Sequence, residues 1–174
     1  MIKKYNFENL IFDKDNLKCV SLVDELFDNN LWCKDSPHYQ TFPDLFEYPG
    51  FFKLKYSFLL SCFSYLECEV TILNIKSWCY CSDCSTQSNQ DRESHWHSHG
   101  TEDCKKLSGI FYLHNPKDIL DYESSGTEFK DYPNIIPEDF SWFIYPSHLL
   151  HRPGKIQSNH KRYVVAADFT FDVP

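Results

Sequence analysis

The segment "CEVTILNIKSWCY", residues 68–80, is where the texture of this chain changes. Val70, Ile72, Asn74 and Lys76 alternate there with Thr71, Leu73, Ile75 and Ser77. That period of two belongs to a strand, whose successive side chains leave opposite faces. Toward the C terminus the texture persists. "KLSGIFYLHNP", "DILDYES", "TEFKDY", "FSWFIYPS" and "RYVVAADFTF" are short β-branched or aromatic runs, separated by Gly, Pro, Asn or Asp at hairpin-like intervals. Toward the N terminus it gives way to helical spacing. "NLKCVSLVDELFDNN" puts Leu17, Val20, Val23, Leu26 and Phe27 on one helical face behind an Asn able to cap, and runs out at Asn29-Asn30. "GFFKLKYSFLLSCFSYLE" is apolar almost all round from Phe51 to Leu66, which predicts a helix buried against a sheet, although its aromatic content also permits a strand. Helices first and about eight antiparallel strands afterwards predict a mainly β protein: a jelly roll or small double-stranded barrel with N-terminal helices on its outer face. The expected organisation is a single domain, 1–174, with helical support over 1–67 and a β-barrel core over 68–174.

Length and charge narrow the function classes. A chain of 174 residues is large enough to bury a core without disulfide staples. Seventeen basic against twenty-five acidic side chains leave a formal charge of -8, which repels a phosphate backbone, so no nucleic-acid partner is expected. No apolar run approaches the roughly 18 residues that span a bilayer, and "MIKKYNFENLIF" is broken by Asn and Glu before an apolar core forms. The expectation is a soluble, cytoplasmic protein without a membrane partner.

Eight cysteines in a chain read as intracellular are free thiols by default. One cluster invites a metal: Cys79, Cys81 and Cys84 in "CYCSDC", with Cys104 further on, supply four soft ligands for a structural zinc. The spacing lacks the paired C-x2-C knuckles, so free cysteines in a loop are the competing reading.

The segment "ESHWHSHGTEDC", residues 93–104, raises a different possibility. In an extended segment His95, His97 and His99 share a face. His148 and His151 follow in "YPSHLLHRP", and Arg162 in "HKRYVV". A divalent metal bound by residues of two separated strands needs a close i,i+2 pair on one and a lone imidazole on the other. His148 lies three residues before His151 and faces the other way on a strand. His38, His114 and His160 read as surface residues.

These residues resemble the iron- and 2-oxoglutarate-dependent dioxygenases, and among them the small prolyl-hydroxylase-like proteins of microbes and their viruses. The resemblance covers roughly residues 74–171 and rests on "HSH" before "LSGIFYL", then on "FIYPSHLLHRPGKIQSNHKRYVVAADFTF". It implies a double-stranded β-helix, jelly-roll or cupin-like. It also implies His97 and His99 as paired ligands, His151 as the distal ligand, and Arg162 as anchor for the far carboxylate of 2-oxoglutarate. Tyr112, in "IFYL", stands where the family often has a phenol assisting that Arg. The chemistry suits the roles: a guanidinium is a permanent planar fork matched to a carboxylate. The implied cofactors are Fe(2+) and 2-oxoglutarate, and the implied substrate is a prolyl or similar side chain, in a peptide or a free amino acid.

The chain departs from the common pattern at His99, where most such proteins carry Asp or Glu. Glu102 or Asp103 could instead supply a carboxylate, and His95 with His97 forms an alternative pair, although distance to "IFYL" favours His97 and His99. Three histidines also resemble cupin-type oxygenases that use no 2-oxoglutarate. A cupin-like metal-binding module without turnover is a further reading, and Arg162 discriminates the two: a co-substrate needs an anchor facing the metal, whereas a pure metal module has no use for a buried guanidinium.

Overall fold

The last strand, Arg162–Asp172, is buried along nearly its whole length because it is covered on both faces. The computed structural model describes residues 1–31, 39–83 and 96–174. The elements there are β1 (Lys3–Asn6), α1 (Asp13–Asp28), β2 (Tyr39–Gln40), α2 (Phe52–Leu66), β3 (Thr71–Ser82), β4 (Lys106–His114), β5 (Thr127–Phe129), β6 (Ser141–Pro146), β7 (His151–Pro153) and β8 (Arg162–Asp172). A six-stranded antiparallel sheet runs β1-β6-β4-β8-β3-β2, and β5 pairs with β7 in a second sheet. The second sheet is extended by isolated bridges, Thr127 to Ile135 on one side and His151 to His97 on the other. This is a mainly β, double-stranded β-helix architecture with the helices outside.

Alternation along the strands sorts side chains into two cores. Tyr163, Val165, Ala167, Phe169 and Phe171 of β8 join Leu107 and Phe111 of β4, Trp142 and Ile144 of β6, and the buried faces of α1 and α2. Val164, Ile110, Tyr112, Phe143, Tyr145 and Tyr80 point the other way, toward Phe129 and Ile135 of the second sheet and Leu149 of the turn between β6 and β7. Arg162 and Asp168 lie on β8 in the same alternation as Val164. The barrel interior therefore receives these two charged residues of β8, and the helix face receives its aromatics.

Helix α1 buries Cys19, Val23, Leu26 and Phe27 as the spacing predicts, but it begins earlier than expected. The Phe12 amide donates to Asp15 Oδ2 at 3.0 Å, so Asp15 closes the first turn and Asn16 is a buried residue inside the helix. Leu17, expected in the core, is 60% exposed, because the buried face runs through Asn16, Cys19, Val23, Leu26 and Phe27 and Leu17 lies to one side of it. Helix α2 is met as predicted and lies close on the sheet. A Cβ at Gly109 would stand 2.7 Å from Phe58 Cε2 and 2.8 Å from Ile144 Cδ1, so glycine sets that approach.

Two expected elements differ. "DILDYES" is not a strand: a 3-10 turn spans Glu123–Ser125, where the Ser124 amide donates to Asp121 Oδ1. Cys79 and Cys81 lie not in a loop but on β3, with both side chains in the helix-face core. Among the described residues no helix is long and apolar enough to cross a membrane.

Candidate metal centre

The two bridged residues of the second sheet carry the site. His97 and His151 exchange both main-chain hydrogen bonds, each 3.0 Å, as directly opposed antiparallel residues do. Their rings consequently lie side by side, with centroids 4.4 Å apart. Two residues on, the His99 amide donates to the Ser147 carbonyl at 2.8 Å and keeps that segment extended along the β6–β7 turn. The His99 ring stands 5.3 Å from His97 and 5.0 Å from His151. One ligand nitrogen from each of the three lies within 4.8 Å of the others. His95 and Cys84 fall outside the described residues.

Each imidazole is oriented by what its other nitrogen meets. His151 is buried, and its Nδ1 donates to the Leu149 carbonyl at 2.8 Å, so Nε2 carries the lone pair and accepts from the Tyr145 hydroxyl at 3.2 Å. Burial, with His97 alongside, pushes its pKa down to about 3 and keeps the ring in the neutral, ligating form. His99 Nδ1 is 2.8 Å from Asp168 Oδ1; a carboxylate only accepts, so the proton sits between them and Nε2 is the atom left for an ion. Asp168 also accepts from Ser108 Oγ at 2.7 Å and pairs with Lys106 Nζ at 3.3 Å. Burial pushes its carboxyl up, but the bond from His99 and the contributions of Ser108 and Lys106 outweigh that and hold it below the ordinary value. Lys106 further donates to the His99 carbonyl at 2.8 Å.

At the other end of β8, the Arg162 guanidinium is fully buried. It donates to the Ser125 carbonyl, to Ser82 Oγ at 3.2 Å and to the Gly154 carbonyl at 3.3 Å, with the Tyr80 ring 6.0 Å from its centre. All three acceptors are neutral, and its Nε makes no hydrogen bond. Buried charges are ordinarily paired with an opposite one. Tyr112 is buried in the same interior, where burial pushes its phenol pKa up; its hydroxyl bonds Thr127 Oγ1 at 2.9 Å. At the rim, Arg152 stacks on Trp96 at 4.3 Å and donates to Glu128 at 2.8 Å.

The other candidates are elsewhere. Glu102 and Asp103 are exposed and outside the convergent group, so neither supplies a carboxylate to it. His148 is outside it too, His114 is exposed, and His160 pairs at the surface with Asp118. The thiolate zinc site is corrected: Cys79 and Cys81 project to the helix face of β3, opposite to Trp78, whose ring touches His99. Cys104 is exposed, and burial pushes the Cys81 thiol up to about 12 and Cys79 well above its usual value, so both stay protonated. Three functional neighbours escaped the sequence reading: Asp168, Ser108 and Tyr145. An acid inside the apolar run "VVAADFTF" was the available signal, since a buried carboxylate must have partners.

No family model matches the sequence, and no curated protein matches it. Solved structures do share its fold. Viral collagen prolyl hydroxylase from Paramecium bursaria Chlorella virus-1, in its 2-oxoglutarate complex, aligns with a TM-score of 0.60 over 99% of this chain and 96% of that one, at 15% identity. A prolyl hydroxylase from Trichoplax adhaerens, complexed with a hypoxia-inducible factor oxygen degradation domain peptide fragment, gives 0.61 over 97% and 83%, at 14% identity. The chain has the fold of the prolyl-hydroxylase-like 2-oxoglutarate oxygenases. HygX from Streptomyces hygroscopicus, with nickel and 2-oxoglutarate bound, shares this oxygenase fold at a TM-score of 0.63, over 97% and 82%, with 10% identity. The double-stranded β-helix expected from the motifs is thus the architecture found.

Proposed function

We propose that this protein is an iron(II)- and 2-oxoglutarate-dependent dioxygenase that hydroxylates an amino-acid side chain, prolyl or similar, in a peptide or as the free amino acid. One observation carries the reading: three imidazoles converge at the mouth of a barrel whose interior also holds a fully buried guanidinium with only neutral partners. The donor set fits the metal, because imidazoles accept ferrous iron and among the described residues no thiolate joins them. Arg162 fits the co-substrate, because its unpartnered Nε and uncompensated charge suit a carboxylate.

His97, His99 and His151 would hold the ion. When bound, iron and 2-oxoglutarate supply oxidative decarboxylation to succinate and carbon dioxide, with one oxygen atom inserted into a substrate C–H bond. The chain's own residues prepare that chemistry. Leu149 and Asp168 fix the tautomers of two ligands. Ser125, Ser82 and Gly154 hold the Arg162 fork in place for the far carboxylate, and Tyr80, Tyr112 and Tyr145 keep water out of the interior. The Trp96 and Arg152 stack, braced by Glu128, gives the rim beside His97 and His151 an aromatic and polar surface suited to a peptide-like substrate. The relatives named above bind 2-oxoglutarate or a peptide, which supports both assignments. Arg162 also favours this reading over a metal module without turnover, which has no use for a buried guanidinium.

Purified protein with ferrous iron and 2-oxoglutarate is expected to release succinate, with calorimetric binding of 2-oxoglutarate to the metal-loaded form. Absence of both, in protein shown to bind metal, overturns the proposal.

A further inference from the structure

The chemistry of the three imidazoles leaves a question of charge. Three neutral ligands leave a divalent ion at its full charge, and His99 stands where a carboxylate would have removed one unit. The strand behind His99 holds a carboxylate in contact with it. Asp168 is 5% exposed on β8, and its Oδ1 lies 2.8 Å from His99 Nδ1. Its surroundings make it a built position: Ser108 on β4 donates to the same oxygen at 2.7 Å, and Lys106 approaches Oδ2 at 3.3 Å. β8 and β4 pair Ser108 directly with Asp168, so the geometry is set by the sheet register rather than by a loop.

We propose that Asp168 is the outer carboxylate of this centre: through His99 it lends the ion the negative charge that the ligand set omits, and it fixes His99 with Nε2 toward His97 and His151. The inference rests on the proposed metal site and assigns Asp168 as a positioning residue. A carboxylate accepting from the far nitrogen of a ligating imidazole raises that ligand's basicity and locks its orientation, and such partners are worth about 10- to 100-fold in metal affinity. Lys106 works against this by neutralising part of the carboxylate, and it also holds the His99 carbonyl.

The test uses the full chain stripped with a chelator and titrated with cobalt(II). Asp168→Asn keeps an acceptor facing His99 but removes the charge; Asp168→Ala removes both. Affinity is expected to fall about 10-fold or more in the first and further in the second, toward the 100-fold end of that range. Circular dichroism of the metal-free variants checks that they remain folded. Should either variant fail to fold, the wild-type zinc complex decides: side-chain nitrogen NMR should find the His99 Nδ1 protonated and Nε2 ligated. Unchanged cobalt affinity in folded Asp168→Asn and Asp168→Ala, or Nδ1 ligation of His99, overturns the assignment while leaving the site intact. Failure of the wild type to bind cobalt at all overturns the site and this role together, and is distinguishable because the wild type is measured first.

Discussion

Arg162 and Lys106 are both cations, but the structure gives them different partners. Arg162 is buried among neutral acceptors, so a bound carboxylate meets an undiminished charge. A hydrogen bond to a charged group is worth about 1.5–3 kcal/mol, so Arg162→Ala should weaken 2-oxoglutarate binding by roughly 10- to 150-fold. Arg162→Lys should recover only part of this, because an ammonium keeps the charge and loses the fork. The KM for 2-oxoglutarate checks both, and unchanged values would separate Arg162 from the co-substrate. Lys106 instead spends its charge on Asp168. Lys106→Met should therefore tighten cobalt binding by about 2- to 10-fold, since breaking a partly buried pair frees the carboxylate toward His99. A titration at constant ionic strength reads this out, and weaker binding would mean that the Lys106 bond to the His99 carbonyl matters more than its charge.

The contact between α2 and β4 decides how the sheet is covered. Gly109 faces Phe58 and Ile144 with no room for a methyl group. Gly109→Ala should destabilise the fold by about 1–3 kcal/mol through overpacking, measured by urea denaturation, with the metal affinity of the folded fraction unchanged. This element was readable from the sequence because α2 is apolar on nearly every side and β4 carries a regular run. Other elements were not. β1 is four residues of "KKYN" whose exposed and half-buried positions alternate without an apolar signal; it becomes a strand only by pairing with β6. "DILDYES" has scattered apolar residues that imitate a strand, yet Leu120 is 84% exposed and Asp121 turns the chain. "CYCSDC" drew attention as a cluster, although simple alternation on β3 already separates Cys79 and Cys81 from Trp78 and Tyr80. The convergence of the three histidines was legible because few residue types in that spacing suit a metal, and Arg162 drew attention as a cation within a β run. Asp168 was not, because its meaning comes from cross-strand register.

Across the whole molecule, the site joins the two sheets. His97 and His151 belong to the second sheet by their mutual bridge, while His99 is tied through Asp168 to β8 in the main sheet. An ion held by all three would fasten one layer to the other, and ligand binding to the folded state alone stabilises it by mass action. Cobalt at about 100 times its dissociation constant should add about 2.7 kcal/mol. For a chain of this size each kcal/mol moves the melting temperature by about 2–4 °C, so a rise of roughly 5–10 °C is expected. His99→Ala removes the ligand that reaches the main sheet but leaves the His97–His151 bridge in place. Its metal-free melting temperature should stay within a few degrees of the wild type, while the rise at the same cobalt concentration should fall to less than half. A rise of equal size in the variant would show that cobalt acts at some other group, and that the three histidines do not form a single centre.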